Sequence, residues 1–318
     1  MSTKNTPPST ALVILAFAIL YIVWGSTYFF IQVAIHDIPP FIMGFIRFII
    51  AAFLLAGWCV YNKEKLWNKQ QVITALITGF LLLFIGNGAV IYAEKIIPSS
   101  LAAVLVSSSP LWFVVLDKPQ WKTNFKSKET IIGLAIGFIG VLLLFGEQFT
   151  HMNFVDSNSP IILALIILVI GTISWAAGSL YSKYNGGGSA MVNSSWQMLA
   201  AAFAFLLSSF IGNEWQGFEW QAVPAKAWWA VVYLIFFGSI AGYSAYVWLL
   251  SVRPVTQVST YAYVNPVVAV LLGVFFANEK ITWMQIAGLT IILTSVLLIN
   301  LAKYRKQKKA TELAAENK

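Results

Sequence analysis

Ten apolar runs recur along this chain, at about 10–35, 39–61, 71–93, 99–117, 130–147, 159–182, 189–212, 227–250, 255–277 and 282–302. Most approach the roughly 20 residues that a helix needs to cross about 30 Å of hydrocarbon. Short polar connections separate them, such as the segment from His36 to Pro40 and the Gly186-Gly187-Gly188 link. Only 10% of the residues are charged and 59% are hydrophobic, against about 25% charged in a soluble domain. Such a chain lacks the polar surface to cover itself in water. The alternating segments of about ten residues that a barrel requires are absent. The pattern predicts an all-α polytopic membrane protein of ten transmembrane helices. The first run is too long for the apolar core of a signal peptide and is expected to be a retained helix.

The basic residues give these spans a direction. With the N-terminus placed in the cytoplasm, 16 of the 20 Lys and Arg residues fall in cytoplasmic segments. Three (Lys95, Lys226 and Lys280) fall outside, and Arg47 lies within a span. That bias places both termini in the cytoplasm of a bacterial inner membrane. It also makes the segment Lys303–Lys309 a basic tail suited to an anionic lipid surface rather than to nucleic acid. The single cysteine, Cys59, sits in an apolar run and reads as an inert buried thiol.

The chain repeats itself internally. At an offset of 156, residues 86–110 align without a gap to 242–266, so that Gly86 falls on Gly242, Ala89 on Ala245, Pro98 on Pro254 and Pro110 on Pro266. At 155, residues 132–144 match 287–299, and at 151, Trp24 falls on Trp175. The expected organisation is a first repeat over 1–147, an outer linker over 148–158, a second repeat over 159–302 and a basic tail over 303–318. Five spans per repeat is an odd number, so the second repeat is inverted relative to the first. Inverted repeats characterise secondary transporters, whose substrate site lies between the repeats near the midplane. The plain alternative is a duplicated scaffold without transport.

Three stretches carry a family resemblance: the run from Trp24 to Leu55, Ile173–Tyr181, and Ala262–Thr282. Together they resemble the EamA-type ten-helix members of the drug/metabolite transporter superfamily, over about residues 10–302. The resemblance implies a basket of ten helices that exports small metabolites, often amino acids or related compounds. Helices 1, 3, 4, 6, 8 and 9 would line its cavity, with helices 5 and 10 at the periphery. The chain departs from the family after helix 4, where Asp117 is the nearest stand-in for the acidic residue that follows helix 9 as Glu279. The related small multidrug exporters resemble one another in carrying a glutamate one turn before a Gly-[Ser/Thr]-Thr. Here Ile22 holds that place before Gly25-Ser26-Thr27, which argues against their cation/proton antiport. The phosphate- and nucleotide-sugar-translocating relatives place basic residues deep in helix 9, and this helix has none.

The chemistry available to the chain is narrow. His36 and His151 both fall in outer loops, and no cluster has metal-ligand spacing. There is no phosphate-binding loop to power an ATPase and no nucleophile–base pair. No cofactor and no enzymatic activity are therefore expected. Arg47 is the one charged residue within a span, so it is a candidate for binding a substrate carboxylate. The alternative is a structural arginine that snorkels or bonds backbone carbonyls, which the family resemblance favours. Glu94, Asp117 and Glu279 sit at helix ends, and the missing mid-span carboxylate favours facilitated diffusion or weak proton coupling.

What remains is a lining of hydroxyls and aromatic rings. Gln257, Tyr261 and Asn265 recur at a spacing of four, on one helical face, with Tyr263 beside them. Tyr21, Gly25, Tyr28 and Gln32 form a similar stripe on the first span with Trp24 beside it, and Trp175 and Ser179 echo it on the sixth. Asn87 and Tyr92 on the third span, Ser107 on the fourth, and Tyr243 and Tyr246 on the eighth complete the candidates. Polar side chains in lipid face the bundle interior, either as cavity wall or as interhelical glue. Pro110 and Pro266 read as paired kinks whose freed carbonyls neighbouring hydroxyls can satisfy. Gly133, Gly137 and Gly140 read as close packing within the bundle, so the chain is taken as a monomer, with a homodimer as the alternative. The reading is a secondary exporter of small neutral or zwitterionic metabolites, amino acids or aromatic compounds foremost, that works by alternating access. The alternatives are a membrane sensor or scaffold and a multidrug-type exporter of hydrophobic compounds.

Overall fold

A computed structural model describes residues 9–97, 99–144, 160–277 and 282–316. The expected linker 148–158, His151 and Glu279 lie outside them. The described residues form helices and turns without a strand, at the positions the apolar runs mark. They are α1 (Thr10–Ile35), α2 (Pro40–Tyr61), α3 (Lys69–Ala93), α4 in two pieces (Ser99–Val106 and Ser109–Leu116), α5 (Lys128–Leu144), α6 (Pro160–Asn185), α7 (Ala190–Ile211), α8 (Ala225–Val252), α9 in two pieces (Val255–Val258 and Tyr261–Ala277) and α10 (Trp283–Glu316). Local chemistry sets several starts. Ser9 Oγ accepts from the Leu12 N–H and the Asn68 side chain accepts from the Gln71 N–H, while Pro40 opens α2 where no N–H is needed. One boundary differs from expectation: α10 continues through the basic segment to Glu316. No proline follows Pro266, and the Lys, Ala, Leu and Glu residues beyond 302 are strong helix formers.

The packing carries the signature of an inverted duplication. The equivalent helices α2 and α7 pack against each other, as do α5 and α10. The remaining contacts come in exchanged pairs: α1 packs on α8 and α9, and α6 packs on α3 and α4. Only a pseudo-twofold axis between the halves gives this pattern. Gly133 and Gly140 face Ile299 and Ile292 of α10, and Gly137 faces Ser295, so the small face of α5 is occupied within the chain.

The axis passes close to two tryptophans. Trp24 and Trp175 meet edge to face with ring centroids 5.5 Å apart. A Cβ on Gly86 would lie 2.9 Å from the Trp175 ring, and one on Gly242 would lie 2.6 Å from Trp24 Nε1. Each half's glycine thus makes room for the other half's tryptophan. Both glycines lie in π-helical turns, Phe80–Asn87 in α3 and Leu234–Tyr243 in α8. Each turn also gives a backbone carbonyl to the opposite half: Ser174 Oγ donates to Leu81 O (2.8 Å) and Trp24 Nε1 to Gly238 O (3.1 Å).

The paired prolines behave as expected in chemistry but not in position. The helix breaks fall ahead of them, at Ser107–Ser108 in α4 and at Ser259–Thr260 in α9. Pro110 frees the Val106 carbonyl, which accepts from Ser109 Oγ. Pro266 frees the Ala262 carbonyl, which accepts from Ser107 Oγ at 2.8 Å across the repeat interface. Ser107→Ala would leave that buried carbonyl unsatisfied, and we expect a loss of about 1–3 kcal/mol. Thermal unfolding of the purified variant measures it; an unchanged transition would show that the clip contributes nothing.

Candidate functional site

The direction of each helix defines two ends of the bundle. At one end Tyr184 Oη donates to Asp117 Oδ1 (2.5 Å), and Lys183 Nζ donates to Leu250 O (2.9 Å) and Arg253 O (2.6 Å). This ties α4, α6 and α8 together and satisfies the last carbonyls of α8. Asp117 is therefore part of a polar latch. At the other end a Glu214 carboxylate oxygen accepts from the Phe41 and Ile42 N–H groups (2.9 and 3.0 Å), capping α2. Its carboxyl is nonetheless held above the usual range, because burial outweighs these bonds. Glu94 also lies at this end.

Between the two ends lies a partly open cavity. It draws residues from α1, α3, α4, α6, α8 and α9, and also from α2 through Arg47 and Phe48. The family resemblance had not placed α2 in the wall. Among the described residues α5, α7 and α10 contribute nothing to it. Eight of the expected site residues come together here: Trp24, Tyr28, Arg47, Asn87, Trp175, Tyr243, Tyr261 and Asn265.

Arg47 is 4% exposed. Its Nε donates to Ser239 Oγ at 2.8 Å, its Nη1 makes a longer 3.4 Å contact with Asn87 Oδ1, and its guanidinium lies 4.8 Å from the Phe48 ring centre. It neither snorkels nor bonds backbone carbonyls, and no carboxylate pairs with it among the described residues. Two more polar groups on the wall stand open: the Tyr243 hydroxyl and Asn265 Oδ1 are buried without a hydrogen-bond partner among the described residues. The Tyr28 hydroxyl interacts with the Asn265 side chain.

The Asp117 side of the cavity is closed by rings. Trp24 lies 5.0 Å from both Tyr246 and Tyr261, and Trp175 lies 5.5 Å from Tyr246. The Tyr246 hydroxyl accepts from Trp175 Nε1 (3.0 Å) and bonds Ser179 Oγ (2.6 Å). Ser179 and Tyr246 therefore brace the wall from one turn beyond it rather than line it.

Four other expected residues lie off the wall. Ser107 is the clip to Ala262 described above. Tyr263 donates to Leu134 O of α5 at 3.0 Å, on the face of α9 opposite the cavity. Gln257 precedes the break at Ser259–Thr260, which interrupts the helical register that would have aligned it with Tyr261 and Asn265. Tyr92 stacks on Phe41 near the Glu94 end, with ring centres 6.3 Å apart. Sequence reasoning missed Thr27, Ser109, Thr172 and Ser239, all on the wall. Single hydroxyls on apolar helices carry no signal of which way they face. Among the described residues no group of three or more His, Cys, Asp or Glu side chains is placed to hold a metal.

Known proteins share this architecture. The EamA-like transporter family profile matches twice, over residues 11–146 and 162–301. The uncharacterized inner membrane transporter YedA of Escherichia coli (strain K12) is 35% identical over 288 residues, 90% of this chain and 89% of its own. A probable amino-acid metabolite efflux pump of Salmonella typhimurium is 25% identical over 300 residues, 92% of this chain and 95% of its own. A crystal structure at 17% identity superposes with a TM-score of 0.75, over 93% of this chain and 99% of that one, and shows the fold alone. The chain belongs to the EamA-like transporter family: it is a multi-pass membrane transporter, not an enzyme.

Proposed function

We propose that this chain exports small zwitterionic metabolites across the bacterial inner membrane, with amino acids that bear an apolar or aromatic side chain as the leading class. One observation carries the reading: Arg47 is buried in the cavity wall with no carboxylate partner among the described residues. A buried cation is stable when an anion joins it, and a planar guanidinium suits a carboxylate. The open Tyr243 hydroxyl and Asn265 carbonyl offer further bonds, and a substrate ammonium would favour the faces of Trp24 and Tyr261. The names of the relatives agree with export and with the inner membrane.

Alternating access supplies the mechanism. The aromatic cluster and the Tyr184–Asp117 latch lie on the Asp117 side of the cavity, where they would act as the gate when one half rocks against the other. The charge bias makes the Asp117 side cytoplasmic. The test is efflux from proteoliposomes loaded with a panel of labelled amino acids and aromatic compounds, with and without a pH gradient. Efflux of zwitterions that the matching amines and amides do not share is the expected result. Preferential efflux of uncharged aromatic compounds would favour a multidrug-type exporter, and no efflux at all would sink the transport reading.

A further inference from the structure

Glu94 is a buried carboxyl for which the cavity chemistry has no use. It follows the last turn of α3, is 5% exposed, and neither carboxylate oxygen has a hydrogen-bond partner among the described residues. A carboxylate without water, donor or cation is among the least tolerable groups a protein can enclose, so the neutral acid is the stable form here. Its neighbourhood accounts for this. The outer part of the bundle at this end is a small apolar cluster that includes Val90, Ala93, Ile97, Ala102 and Leu168.

The charged and titratable groups nearby are few. From α1, Tyr28 lies within electrostatic reach of Glu94, and Tyr28 is itself cavity wall. On α2, Arg47 is turned to Ser239 and Asn87 instead. Lys95, the next residue in the chain, is exposed and acts on Glu214. The described part of α6 carries no charge before Lys183, at the opposite end, and the described side chains of α4 carry none. Val90, one turn before Glu94 on α3, also lines the cavity. Glu94 thus stands between the cavity and one end of the bundle.

We propose that Glu94 is the proton-binding site that couples transport to a proton gradient. The inference rests on the transport reading above. In the conformation described here the carboxyl is sealed and carries its proton. When its own end opens, water reaches it and the carboxylate exchanges a proton with that side. When the Asp117 end opens, the proton leaves past Tyr28 through the cavity. One proton binds to and leaves one carboxyl oxygen in each cycle, and no other co-reactant is needed. Burial holds the Glu94 carboxyl well above the usual carboxylate range, in keeping with a proton retained in the closed state. The sequence, with no mid-span acid, favours facilitated diffusion or weak proton coupling, because Glu94 reads there only as a helix end.

The experiment uses the full chain reconstituted in liposomes, with labelled phenylalanine as the probe and a pH-sensitive dye inside. A one-unit pH gradient is expected to drive about tenfold accumulation at one proton per substrate, with matching proton movement. Glu94→Gln is expected to keep phenylalanine/phenylalanine exchange, which needs no net proton, and to lose both the accumulation and the proton movement. Glu94→Asp should recover part of the drive. Infrared difference spectra of the same samples should show a protonated-carboxyl band at neutral pH that Glu94→Gln removes. Gradient-driven accumulation by Glu94→Gln would overturn the proposal, as would wild-type net uptake that ignores the gradient; the transport reading would survive either. If the wild type moves no amino acid, the zwitterion reading fails and the proposal falls with it.

Discussion

Arg47→Gln is expected to weaken binding of carboxylate-bearing substrates by about 10- to 100-fold, the weight of about 1.5–3 kcal/mol for a hydrogen bond to a charged group. Flux of the corresponding amines should change far less, because they never used the guanidinium. Arg47→Lys should fall between, since a point charge keeps the attraction but loses the fork. The variant should fold. Removing a buried cation that has no carboxylate partner relieves a desolvation penalty, and Ser239 and Asn87 can still bond the glutamine amide. Equilibrium binding and efflux, each run on an amino acid and its decarboxylated amine, separate the two roles. Equal losses for both would return Arg47 to a structural part. Unchanged binding of the amino acid would remove the carboxylate site altogether.

Gly242→Leu is expected to disable the transporter by a different route. Even a Cβ at Gly242 would lie 2.6 Å from Trp24 Nε1, an atom already committed to the Gly238 carbonyl. The larger side chain must push the indole out of the wall and break that bond. Overpacking of about 1–3 kcal/mol adds to about 1 kcal/mol for the bond. Gly86→Leu should act alike through Trp175, because the pseudo-twofold axis makes the two contacts equivalent. Thermal unfolding in detergent should fall for both variants, and efflux should be lost. If both variants unfold and transport as the wild type does, the crossed glycine–tryptophan contact has no structural weight. The milder Gly→Ala pair then grades the effect.

Much of this molecule is legible without coordinates. The apolar runs locate the helices because crossing a bilayer demands a fixed length of apolar chain, though α4 and α9 are each broken in two. The matching of 86–110 to 242–266 announces two halves, and an odd number of spans inverts one of them. Trp24, Tyr28, Arg47, Asn87, Trp175, Tyr243, Tyr261 and Asn265 stand out because a polar or amphipathic side chain in hydrocarbon must turn inward, and all eight do. The rule gives no distance along the helix and no choice between wall and brace. Ser179 and Tyr246 obey it one turn beyond the cavity, Tyr263 obeys it toward α5, and Ser107 obeys it by serving a carbonyl of the other half.

The tertiary structure decided the rest. Gln257, Tyr261 and Asn265 share a face in an ideal helix, but the break at Ser259–Thr260 removes the first of them. At that break Ser259 Oγ and Thr260 Oγ1 donate back to the Thr256 and Gln257 carbonyls at 3.2 and 2.7 Å, and Tyr21 Oη bonds Thr260 Oγ1 at 2.6 Å. Glu94 is buried within electrostatic reach of Tyr28, which comes from another helix. The sequence alone determined that this chain is a duplicated ten-helix membrane protein with an aromatic, nearly uncharged interior, because bilayer thickness and the exclusion of polar groups from lipid act residue by residue. Only the folded bundle decided which groups share the cavity, since that depends on helix breaks, helix rotation and contacts across the two halves.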